Sequence, residues 1–386
     1  MIAMKLAMIC TERLPVPPLR GGAIQIFMDG VTPYLAARHA LTIYCIADPE
    51  LPDRETIHGV RYIRVPREDY ELRVAKQLAL EEVPYDLIHV CNRPKHLLLY
   101  KHAMPGSRFV VSLHNEMFKD AKISRQIGEL VIQIADGIMT VSDYIGRTIS
   151  DRFPSAKPKL CTVYSGIDLD IYRPIWAGDV QPLRSALRRQ FGVDQSRVVL
   201  FVGRLSKVKG PDVLIQAMEQ VIHKYSDAVL VIIGSRWFSD DRMDEYTIKL
   251  RQLADALGEN RVVFTNFVAP SRIPEHFLLG DLFVCCSQWE EPLARVHYEA
   301  MGAGLPIVTT RRGGNAEIID HKVNGIVIDD YANPQAFADA ITSLFDHPEE
   351  ASRLAQAGRA SADANYGFQH VAQRLEKLYE QAMSSS

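Results

Sequence analysis

The chain of 386 residues is longer than one hydrophobic core usually supports, so we expect two domains. Its 47% hydrophobic and 24% charged residues are ordinary for a globular protein and exclude a disordered or fibrous chain. The net charge is only -3, and residues 1–165 carry a slight basic excess of 21 Lys and Arg against 18 Asp and Glu. We expect no nucleic-acid partner. The basic excess leaves open a weak attraction to an anionic or membrane surface.

The six cysteines show no paired metal-ligand spacing, and several lie in apolar runs where a thiol packs as a small hydrophobic group. Free thiols predict a reducing, cytoplasmic location. The N-terminal run MIAMKLAMIC is too short for a secretory signal, and no apolar stretch reaches about 18 residues. We therefore expect no membrane span.

In chain order, the first half alternates short, β-branched apolar runs with helical patterns. The predicted strands are KLAMIC, LTIYCIA, DLIHV, FVVSLH, GIMTVS and KLCTVYSG, with a helix over residues 26–38 after the first. Strands separated by helices predict right-handed crossovers and a parallel sheet. This first domain is expected over residues 1–172.

Residues 173–193 interrupt the pattern with prolines and mixed charge, which predicts a linker and one helix. A second alternating series then follows, with predicted strands RVVLFVG, AVLVIIGS, RVVFTNFV, DLFVCCS, PIVTT and GIVI. The sequence therefore predicts an α/β fold of two Rossmann-like, doubly wound domains, the second over residues 173–365. Because parallel sheets bind ligands at the carboxyl ends of their strands, we expect the two domains to face each other across a ligand-binding cleft.

The most informative stretch is SQWEEPLARVHYEAMGAGLPIVTT, residues 287–310. Proline is favoured in the first turn of a helix and glycine near its end. Pro292 therefore predicts a helix that begins directly after Glu291, and Gly302 and Gly304 suit its end. The free amides and the dipole of such a helix start attract an anion, and a diphosphate is a natural ligand there. The amides concerned belong to Leu293, Ala294 and Arg295.

Two carboxylates belong to this predicted helix. Glu299 lies eight residues beyond Glu291, a rise of about 12 Å at 1.5 Å per residue. That distance roughly matches the separation of a donor sugar from its nucleoside ribose, which predicts one carboxylate for the hydroxyls of each. The alternative is that Glu291 is an ordinary acid at a helix start and Glu299 a solvated helix residue. The small, apolar segment EAMGAG favours a buried Glu299, and a buried carboxylate needs partners.

The loop GRLSKVKG, residues 203–210, places three cations where a strand opens into a helix: Arg204, Lys207 and Lys209. Cations at that point neutralise a diphosphate and stabilise it as it leaves, which is the task of metals in other transferases. The alternative is a basic surface loop of no special function.

Two glycine pairs and one histidine complete the set of candidates. Gly21-Gly22 precedes the first helix, and Gly313-Gly314 precedes the predicted helix AEIID. Both pairs allow close backbone approach to a phosphate or sugar, and both are equally ordinary in turns. His114 ends an apolar strand at the predicted cleft edge, where it faces a ligand or serves only the structure. Without an HExxH, CxxC or DxD-like motif, we predict no metal.

Together these motifs resemble the retaining GT-B glycosyltransferases of the group 1, family 4 type, which include glycogen synthases, sucrose-phosphate synthases and bacterial cell-surface sugar transferases. The resemblance covers almost the whole chain. More narrowly, several strings resemble the spore coat protein SA branch of that group. These strings are CTERLPVPPLRGGAIQIF, HVCNRP, SLHNEMF, VSDYIG and EEPLARVHYEAMGAGLP. The resemblance also implies that the C-terminal helix, over residues 366–386, packs back on the first domain.

The resemblance implies roles for individual residues. Gly22, with Gly21 beside it, contacts the donor phosphate or sugar through its backbone, and His114 lies beside the reacting sugar. Arg204 and Lys209 hold the diphosphate.

The second-domain carboxylates and the base site follow from the same resemblance. Glu291 binds the donor sugar, and Glu299 binds the ribose. The residues that meet the base are Asn266, Phe267 and Val268. The sequence departs from the commoner Phe-Gly after the proline, because it has Leu293-Ala294 followed by Arg295. This turn touches the sugar, so the departure bears on which sugar is bound.

The predicted function is therefore transfer of a hexose-type sugar from a nucleoside diphosphate, with a UDP-sugar favoured, in cell-surface, spore-coat or polysaccharide biosynthesis. The acceptor is a glycan, a lipid-linked molecule or a small molecule, and no cofactor is expected. Front-side attack is implied, with the leaving phosphate accepting the proton of the acceptor. Peripheral association with a membrane or coat is left open.

Two alternatives remain at this point. A nucleotide-sugar 2-epimerase shares the architecture but needs a set of acid and base carboxylates that these motifs do not suggest. A coat or scaffold protein keeps the fold without turnover, although it has no need for the four charged candidates. Those candidates are Arg204, Lys209, Glu291 and Glu299.

Overall fold

A computed structural model describes residues 3–236 and 244–384, and the chain divides into two compact units. The first comprises Met1–Gly166 and Phe368–Ser386, and the second comprises Ile167–Gly367. The prediction of two doubly wound α/β units is confirmed.

The first unit is built on an eight-stranded sheet. Its strands are β1 (Lys5–Ile9), β2 (Ala40–Ile46), β3 (Arg54–Ile57), β4 (Val60–Val65), β5 (Leu87–Cys91), β6 (Arg108–Leu113), β7 (Gly137–Thr140) and β8 (Leu160–Thr162). The spatial order is β3-β4-β2-β1-β5-β6-β7-β8, and every neighbouring pair is parallel except β3 and β4. The strand order reverses between β1 and β5, so the carboxyl ends of these two strands form the switch point of the sheet.

Both faces of this sheet are buried, as expected for a parallel sheet with helices on each side. Along β1, Leu6 and Met8 belong to the core on one face, while Ala7 and Ile9 belong to the core on the other. The covering helices are α1 (Ala23–Ala36), α2 (Tyr70–Ala79), α3 (His96–Ala103), α4 (Arg125–Ile134), α5 (Asp143–Ser150) and the C-terminal helix, numbered α13 below (Phe368–Ser384). Helices α4 and α5 begin where the side chains of Ser124 and Ser142 accept hydrogen bonds from the amides of Ile127 and Ile145, respectively.

The second unit is a six-stranded, wholly parallel sheet. Its strands are β9 (Arg197–Val202), β10 (Ala228–Ile233), β11 (Val262–Phe264), β12 (Leu282–Cys285), β13 (Ile307–Thr310) and β14 (Ile326–Ile328). The order is β11-β10-β9-β12-β13-β14, so the switch point lies between β9 and β12. The helices are α6 (Gln181–Gln190), α7 (Pro211–Lys224), α8 (Glu245–Ala256), α9 (Ile273–Phe277), α10 (Val296–Gly302), α11 (Pro334–Asp346) and α12 (Pro348–Asn365).

The domain boundary falls six residues earlier than the sequence suggested, after Gly166 and not after residue 172. The reason is that residues 167–172 bond within the second unit. The amide of Ile167 donates to the carbonyl oxygen of Tyr366 at 2.8 Å, and the ring of Tyr172 packs edge-on against Phe277. At the other end, the chain returns to the first unit at Phe368, two residues later than residue 366.

The C-terminal helix packs against α1, β6 and β7 within the first unit. The absence of a side chain at Gly30 of α1 allows this close packing, because a Cβ atom there would lie 2.4 Å from the ring of Phe368. Along α13, the residues Val371, Leu375 and Tyr379 are fully buried in the core of the first unit. The C-terminal helix therefore completes the hydrophobic core of the first unit.

Candidate active site

The switch point of the second unit brings together a cation and a carboxylate. Lys209 follows β9 in a short 3-10 turn (Lys207–Lys209), and Glu291 follows β12. Their side chains meet with 2.6 Å between Lys209 Nζ and Glu291 Oε2. Two of the sequence-predicted residues, separated by 82 positions, thus form one ion pair at the carboxyl ends of adjacent central strands.

The carboxylate of Glu291 is bound by three donors, all on the same oxygen. Besides Lys209, the hydroxyl of Ser287 donates to Oε2 at 3.0 Å, and the indole N–H of Trp289 donates at 2.7 Å. Burial raises the pKa of the Glu291 carboxyl, but the charge of Lys209 and these hydrogen bonds outweigh it and bring the pKa below its usual value. Glu291 is therefore an ionised carboxylate in a buried setting.

The loop after β13 is fitted closely around Glu291. The amides of Gly313 and Gly314 donate to Glu290 Oε2 at 2.5 Å and to the carbonyl oxygen of Glu291 at 2.8 Å, respectively. Arg312 pairs with Glu290 at 2.7 Å. Gly313 has a φ of +57°, and a Cβ atom there would lie 2.0 Å from the carbonyl oxygen of Glu291. Only glycine fits this position, because both the dihedral angle and the contact exclude a side chain.

The predicted helix start is wrong by four residues. Helix α10 begins at Val296, so Pro292 and the three proposed amides lie ahead of it. Tertiary hydrogen bonding holds this segment out of the helix, because the amide of Ala294 donates to Asn315 Oδ1 at 3.1 Å. The rise of about 12 Å along one helix from Glu291 to Glu299 is therefore wrong as well. The predicted end is right, since the C-cap is Ala303 and Gly304 follows with a φ of +66°.

Glu299 lies in α10 and is buried. Burial raises the pKa of its carboxyl above the usual value, although Arg295 at 3.7 Å, the hydroxyl of Tyr172 and His297 oppose the rise. Glu291 and Glu299 thus differ in electrostatic environment, because only the former has a charge partner close enough to offset its burial.

The other predicted residues of this unit lie at the same edge of the sheet. Arg204 is half-buried in the loop directly after β9. The segment Asn266, Phe267 and Val268 follows β11, and Asn266 has a φ of +59° and accepts a hydrogen bond from Arg251 at 2.9 Å. Its carbonyl oxygen accepts from the amide of Gly234, which directly follows β10. Leu293 and Ala294 are buried, with exposed fractions of 7% and 6%. Each of them can therefore contact a ligand only through a small part of its surface.

In the first unit, the predicted glycines begin α1. Gly21 and Gly22 have φ values of +78° and +99°, and the carbonyl of Gly22 accepts the first helical bond from Ile26 at 2.9 Å. A Cβ atom on Gly22 would lie 2.3 Å from the side-chain oxygen of Gln25. Gln25 in turn donates to the carbonyl oxygen of Leu14 at 3.2 Å. The glycine pair therefore forms a tight turn directly before α1, and the buried side chain of Gln25 packs against Gly22 in this turn.

His114 directly follows β6, as predicted, and is 8% exposed. Its amide donates to Asn92 Oδ1 at 3.1 Å, and its ring packs edge-on against Phe27 with 5.0 Å between centroids. Asn92 follows β5 with a φ of +54°. Near it, Arg93 and Glu12 form a two-bond ion pair at 2.7 and 2.5 Å across the switch point of this sheet.

Among the residues that the structure describes, no three or more His, Cys, Asp or Glu side chains are grouped to hold a metal ion. Within the same residues, no helix has the length and apolar character needed to cross a membrane. All six cysteines are free thiols.

Comparison with known proteins gives two family matches. The model described as "Glycosyl transferases group 1" matches residues 184–361, and the one described as "Glycosyltransferase Family 4" matches residues 24–171. Spore coat protein SA of Bacillus subtilis is 47% identical over 98% of this chain and 99% of its own length. The chain belongs to the group 1 glycosyltransferases. It is an enzyme of the transferase class.

Two further proteins are similar to this glycosyltransferase. The putative glycosyltransferase YtcC of Bacillus subtilis is 47% identical over 99% of this chain and 93% of its own length. The crystal structure of Alr3699/HepE of Anabaena in complex with UDP-glucose matches with a TM-score of 0.76, at 23% identity, over 98% of this chain and 100% of that one. The latter likeness shows the GT-B fold.

The sequence alone did not identify several residues of this glycosyltransferase that form hydrogen bonds or ion pairs with Glu291 or with the segments beside it. They are Ser287, Trp289, Glu290, His297, Arg312 and Asn315. Three of them belong to the same string SQWEE as Glu291 itself, so proximity to a predicted sugar-binding carboxylate was the available signal. Asn315 and Arg312 are near Glu291 only through the pairing of β12 with β13, which no local pattern reveals.

Proposed function

We propose that this glycosyltransferase binds a nucleoside diphosphate sugar at the switch point of its second unit, with a UDP-hexose as the first candidate. The observation that carries the proposal is the Lys209–Glu291 ion pair after β9 and β12. A cation and an ionised carboxylate side by side suit a ligand with a diphosphate and a polyhydroxylated sugar. The UDP-glucose complex of the Anabaena protein supports this choice of donor.

In this proposal, Lys209 and Arg204 neutralise the diphosphate, and Glu291 accepts hydrogen bonds from the sugar hydroxyls. All three protein donors to Glu291 use Oε2, and among the described residues none is seen to donate to Oε1. Oε1 of Glu291 is therefore the oxygen that accepts hydrogen bonds from the sugar hydroxyls in this proposal. Glu299 accepts the ribose hydroxyls. The base meets the segment Asn266, Phe267 and Val268.

The remaining roles rest on the family resemblance. Gly22, with Gly21 beside it, contacts the donor through its backbone, His114 lies beside the reacting sugar, and the turn of Leu293, Ala294 and Arg295 touches the donor sugar. The reaction retains the anomeric configuration by front-side attack. The bond from the anomeric carbon to the phosphate oxygen breaks, the acceptor oxygen bonds to the same carbon, and the acceptor proton passes to the departing phosphate. Lys209 and Arg204 stabilise the charge that develops on this phosphate, in place of a metal ion.

We further propose that the enzyme acts in the cytoplasm on a glycan, lipid-linked or small-molecule acceptor of cell-surface, coat or polysaccharide biosynthesis. The 47% identity to spore coat protein SA supports this setting. The same relative's name motivates the alternative of a coat protein that retains the fold without turnover.

A ligand panel tests the donor. Thermal unfolding is measured with UDP, GDP and ADP and with their glucose and mannose derivatives, because a ligand at 100 times its dissociation constant adds about 2.7 kcal/mol of stability. The stabilising donor is then incubated with candidate acceptors, with and without EDTA, and the anomeric configuration of the product is read by NMR. Sugar transfer with retention in EDTA is expected.

Each other outcome contradicts a defined part of the proposal. Loss of turnover in EDTA with recovery in Mg²⁺ or Mn²⁺ overturns metal independence. An inverted product overturns front-side attack, and an isomerised donor identifies an epimerase. If the protein binds none of the nucleotides, the alternative of a coat or scaffold protein without turnover is favoured.

A further inference from the structure

The backbone of Ala294 is held at both its N–H and its carbonyl group by side chains that are fully buried. Its amide donates to Asn315 Oδ1 at 3.1 Å, and its carbonyl oxygen lies 2.8 Å from His297 Nδ1. Asn315 and His297 each have an exposed fraction of 0%. A carbonyl oxygen only accepts, so Nδ1 of His297 carries the proton. We name these two side chains the Ala294 clamp.

The clamp is itself fixed by β13. Nε2 of His297 lies 2.7 Å from the hydroxyl of Thr309, which is also fully buried. Nδ1 donates to the carbonyl oxygen, and Nε2 shares a hydrogen bond with this hydroxyl, so both ring nitrogens have partners. The orientation of the ring is therefore set by one partner at each nitrogen.

From the clamp, polar contacts lead back to the Glu291 carboxylate. The amide of Asn315 donates to Cys285 Sγ at 4.0 Å, and this sulfur lies 3.7 Å from Ser287 Oγ. Ser287 in turn donates to Glu291 Oε2 at 3.0 Å. The backbone of Ala294 and the carboxylate of Glu291 are thus joined through a chain of buried polar groups.

We propose that His297 and Asn315 are positioning residues for the donor sugar. They hold the turn of Leu293, Ala294 and Arg295 in a fixed position relative to Glu291, so that the sugar meets a preformed surface. This inference rests on the proposed donor site. Neither residue is exposed, so both act through the backbone of Ala294, and a site held rigidly spends less binding energy on ordering the turn.

The chain provides a matched control. His276 is also a buried histidine of the second unit, and its Nδ1 lies 2.8 Å from a backbone carbonyl oxygen, that of Arg272. No residue of its helix, α9, takes part in the hydrogen bonds around Glu291 or Ala294 described above. His276→Leu thus removes the same kind of bond outside that set of contacts and shows the effect of a purely structural loss.

The experiment compares the wild type with Asn315→Leu, His297→Leu, His297→Asn and His276→Leu. Calorimetry gives the dissociation constants of UDP and of UDP-glucose, and NMR gives the hydrogen-exchange rate of the Ala294 amide. We expect Asn315→Leu and His297→Leu to bind UDP within about twofold of wild type but UDP-glucose at least about tenfold more weakly. The exchange rate of the Ala294 amide rises in Asn315→Leu. His297→Asn, whose amide nitrogen takes the place of Nδ1 and can still donate to the carbonyl oxygen of Ala294, recovers most of the affinity, and His276→Leu loses only thermal stability.

The proposal is overturned if UDP and UDP-glucose weaken equally in both Leu variants, if neither weakens, or if His276→Leu shows the same pattern. Failure of the proposed function looks different, because the wild type itself then binds neither ligand. The exchange rate at Ala294 needs no ligand, so it still reports whether the clamp holds the turn.

Discussion

Lys209 and Glu291 are joined as an ion pair, and Lys209 helps to set the charge state of the carboxylate. The pKa of Glu291 is held below its usual value largely by the charge of Lys209, against the opposing effect of burial. A neutral residue at position 209 leaves the carboxylate with the two donors Ser287 and Trp289. In the proposed function, the pair acts as a single unit that binds a ligand carrying both negative charge and hydroxyl groups.

Replacing Lys209 by Met tests this unit. We expect binding of the nucleoside diphosphate to weaken by about 1.5–3 kcal/mol, roughly ten- to a hundredfold, because a charge-assisted contact is lost. Lys207→Met is the control, since Lys207 is exposed in the same turn. Isothermal titration calorimetry of both variants measures their dissociation constants for the nucleoside diphosphate. Equal affinity for the diphosphate in Lys209→Met and wild type would show that this cation does not bind phosphate.

Glu299 has the opposite character, because its folded-state pKa is raised. A carboxyl of this kind binds its proton more tightly when folded, so it costs stability above its ordinary pKa and the cost disappears as the pH falls. Glu299→Gln is therefore expected to unfold at a higher temperature than wild type at pH 7 without ligand. Its stabilisation by nucleotide is smaller, since the bonds to the ribose weaken.

The measurement is a thermal unfolding series from pH 4 to pH 8, with and without the diphosphate and its 2′-deoxy form. Glu219→Gln is the control, because Glu219 is exposed on α7. A lower melting temperature of Glu299→Gln at pH 7 would contradict the stability cost of the buried carboxylate. Undiminished stabilisation by the nucleotide would contradict the assignment of Glu299 to the ribose.

At the scale of single elements, the loop after β13 has no space for a side chain at Gly313. Gly313→Ala places a Cβ atom 2.0 Å from the carbonyl oxygen of Glu291 at a φ of +57°. Gly192→Ala provides the comparison, since Gly192 has a φ of +68° but no atom within 4 Å of the new Cβ. The comparison variant is expected to lose about 1–2 kcal/mol, the cost of the dihedral angle alone.

Gly313→Ala should lose more stability than Gly192→Ala and most of its donor affinity as well, because Glu291 must shift. Chemical denaturation and donor titration of the two variants measure the difference. If the two glycine variants prove equally stable and equally active, the loop does not position Glu291.

The elements that the sequence predicted best are the apolar strands. All six strands of the second series and six of the eight in the first unit appear as predicted, because a strand buried on both faces is a short run of branched apolar residues. The missed strands β3 and β4 form the antiparallel edge of the first sheet, where RETI and VRYIRV mix charged and apolar residues. Strands of such mixed composition resemble loops in the sequence, although β4 itself is largely buried.

The error at α10 has a different origin. Proline after Glu291 is a sound helix-start signal in isolation, but the fold uses the Ala294 peptide for bonds to Asn315 and His297. Asn315 lies 21 residues away in sequence, so no local rule includes it. The candidate residues themselves were recognisable, whereas the buried groups that hold them depend on strand pairing.

At the scale of the whole molecule, the first unit depends on α13. Its Tyr379 hydroxyl lies 2.7 Å from His89 Nδ1 of β5, and both residues are fully buried. Burial lowers the pKa of His89 to about 3, with His114 adding to the effect. Below the ordinary value of 6.5 the unfolded chain therefore binds a proton that the folded chain excludes.

The free energy of unfolding is accordingly expected to fall as the pH drops from 6.5 towards 3, by up to about 1.4 kcal/mol per pH unit from this residue. His89→Leu should reduce that slope, whereas His102→Leu, at an exposed position, should not. Denaturant titrations at closely spaced pH values give the slopes. An unchanged slope in His89→Leu would show that other groups govern the acid sensitivity.

The return of α13 to the first unit also sets an order of events during synthesis. The 201 residues of Ile167–Gly367 leave the ribosome before Phe368 does, which takes about 10–40 s at 5–20 residues per second. During that interval the nascent first unit lacks the helix that covers Gly137 and His89. The second unit, although it comes later along the chain, is the first whose sequence is complete, and the first unit keeps an open apolar face until the last helix arrives.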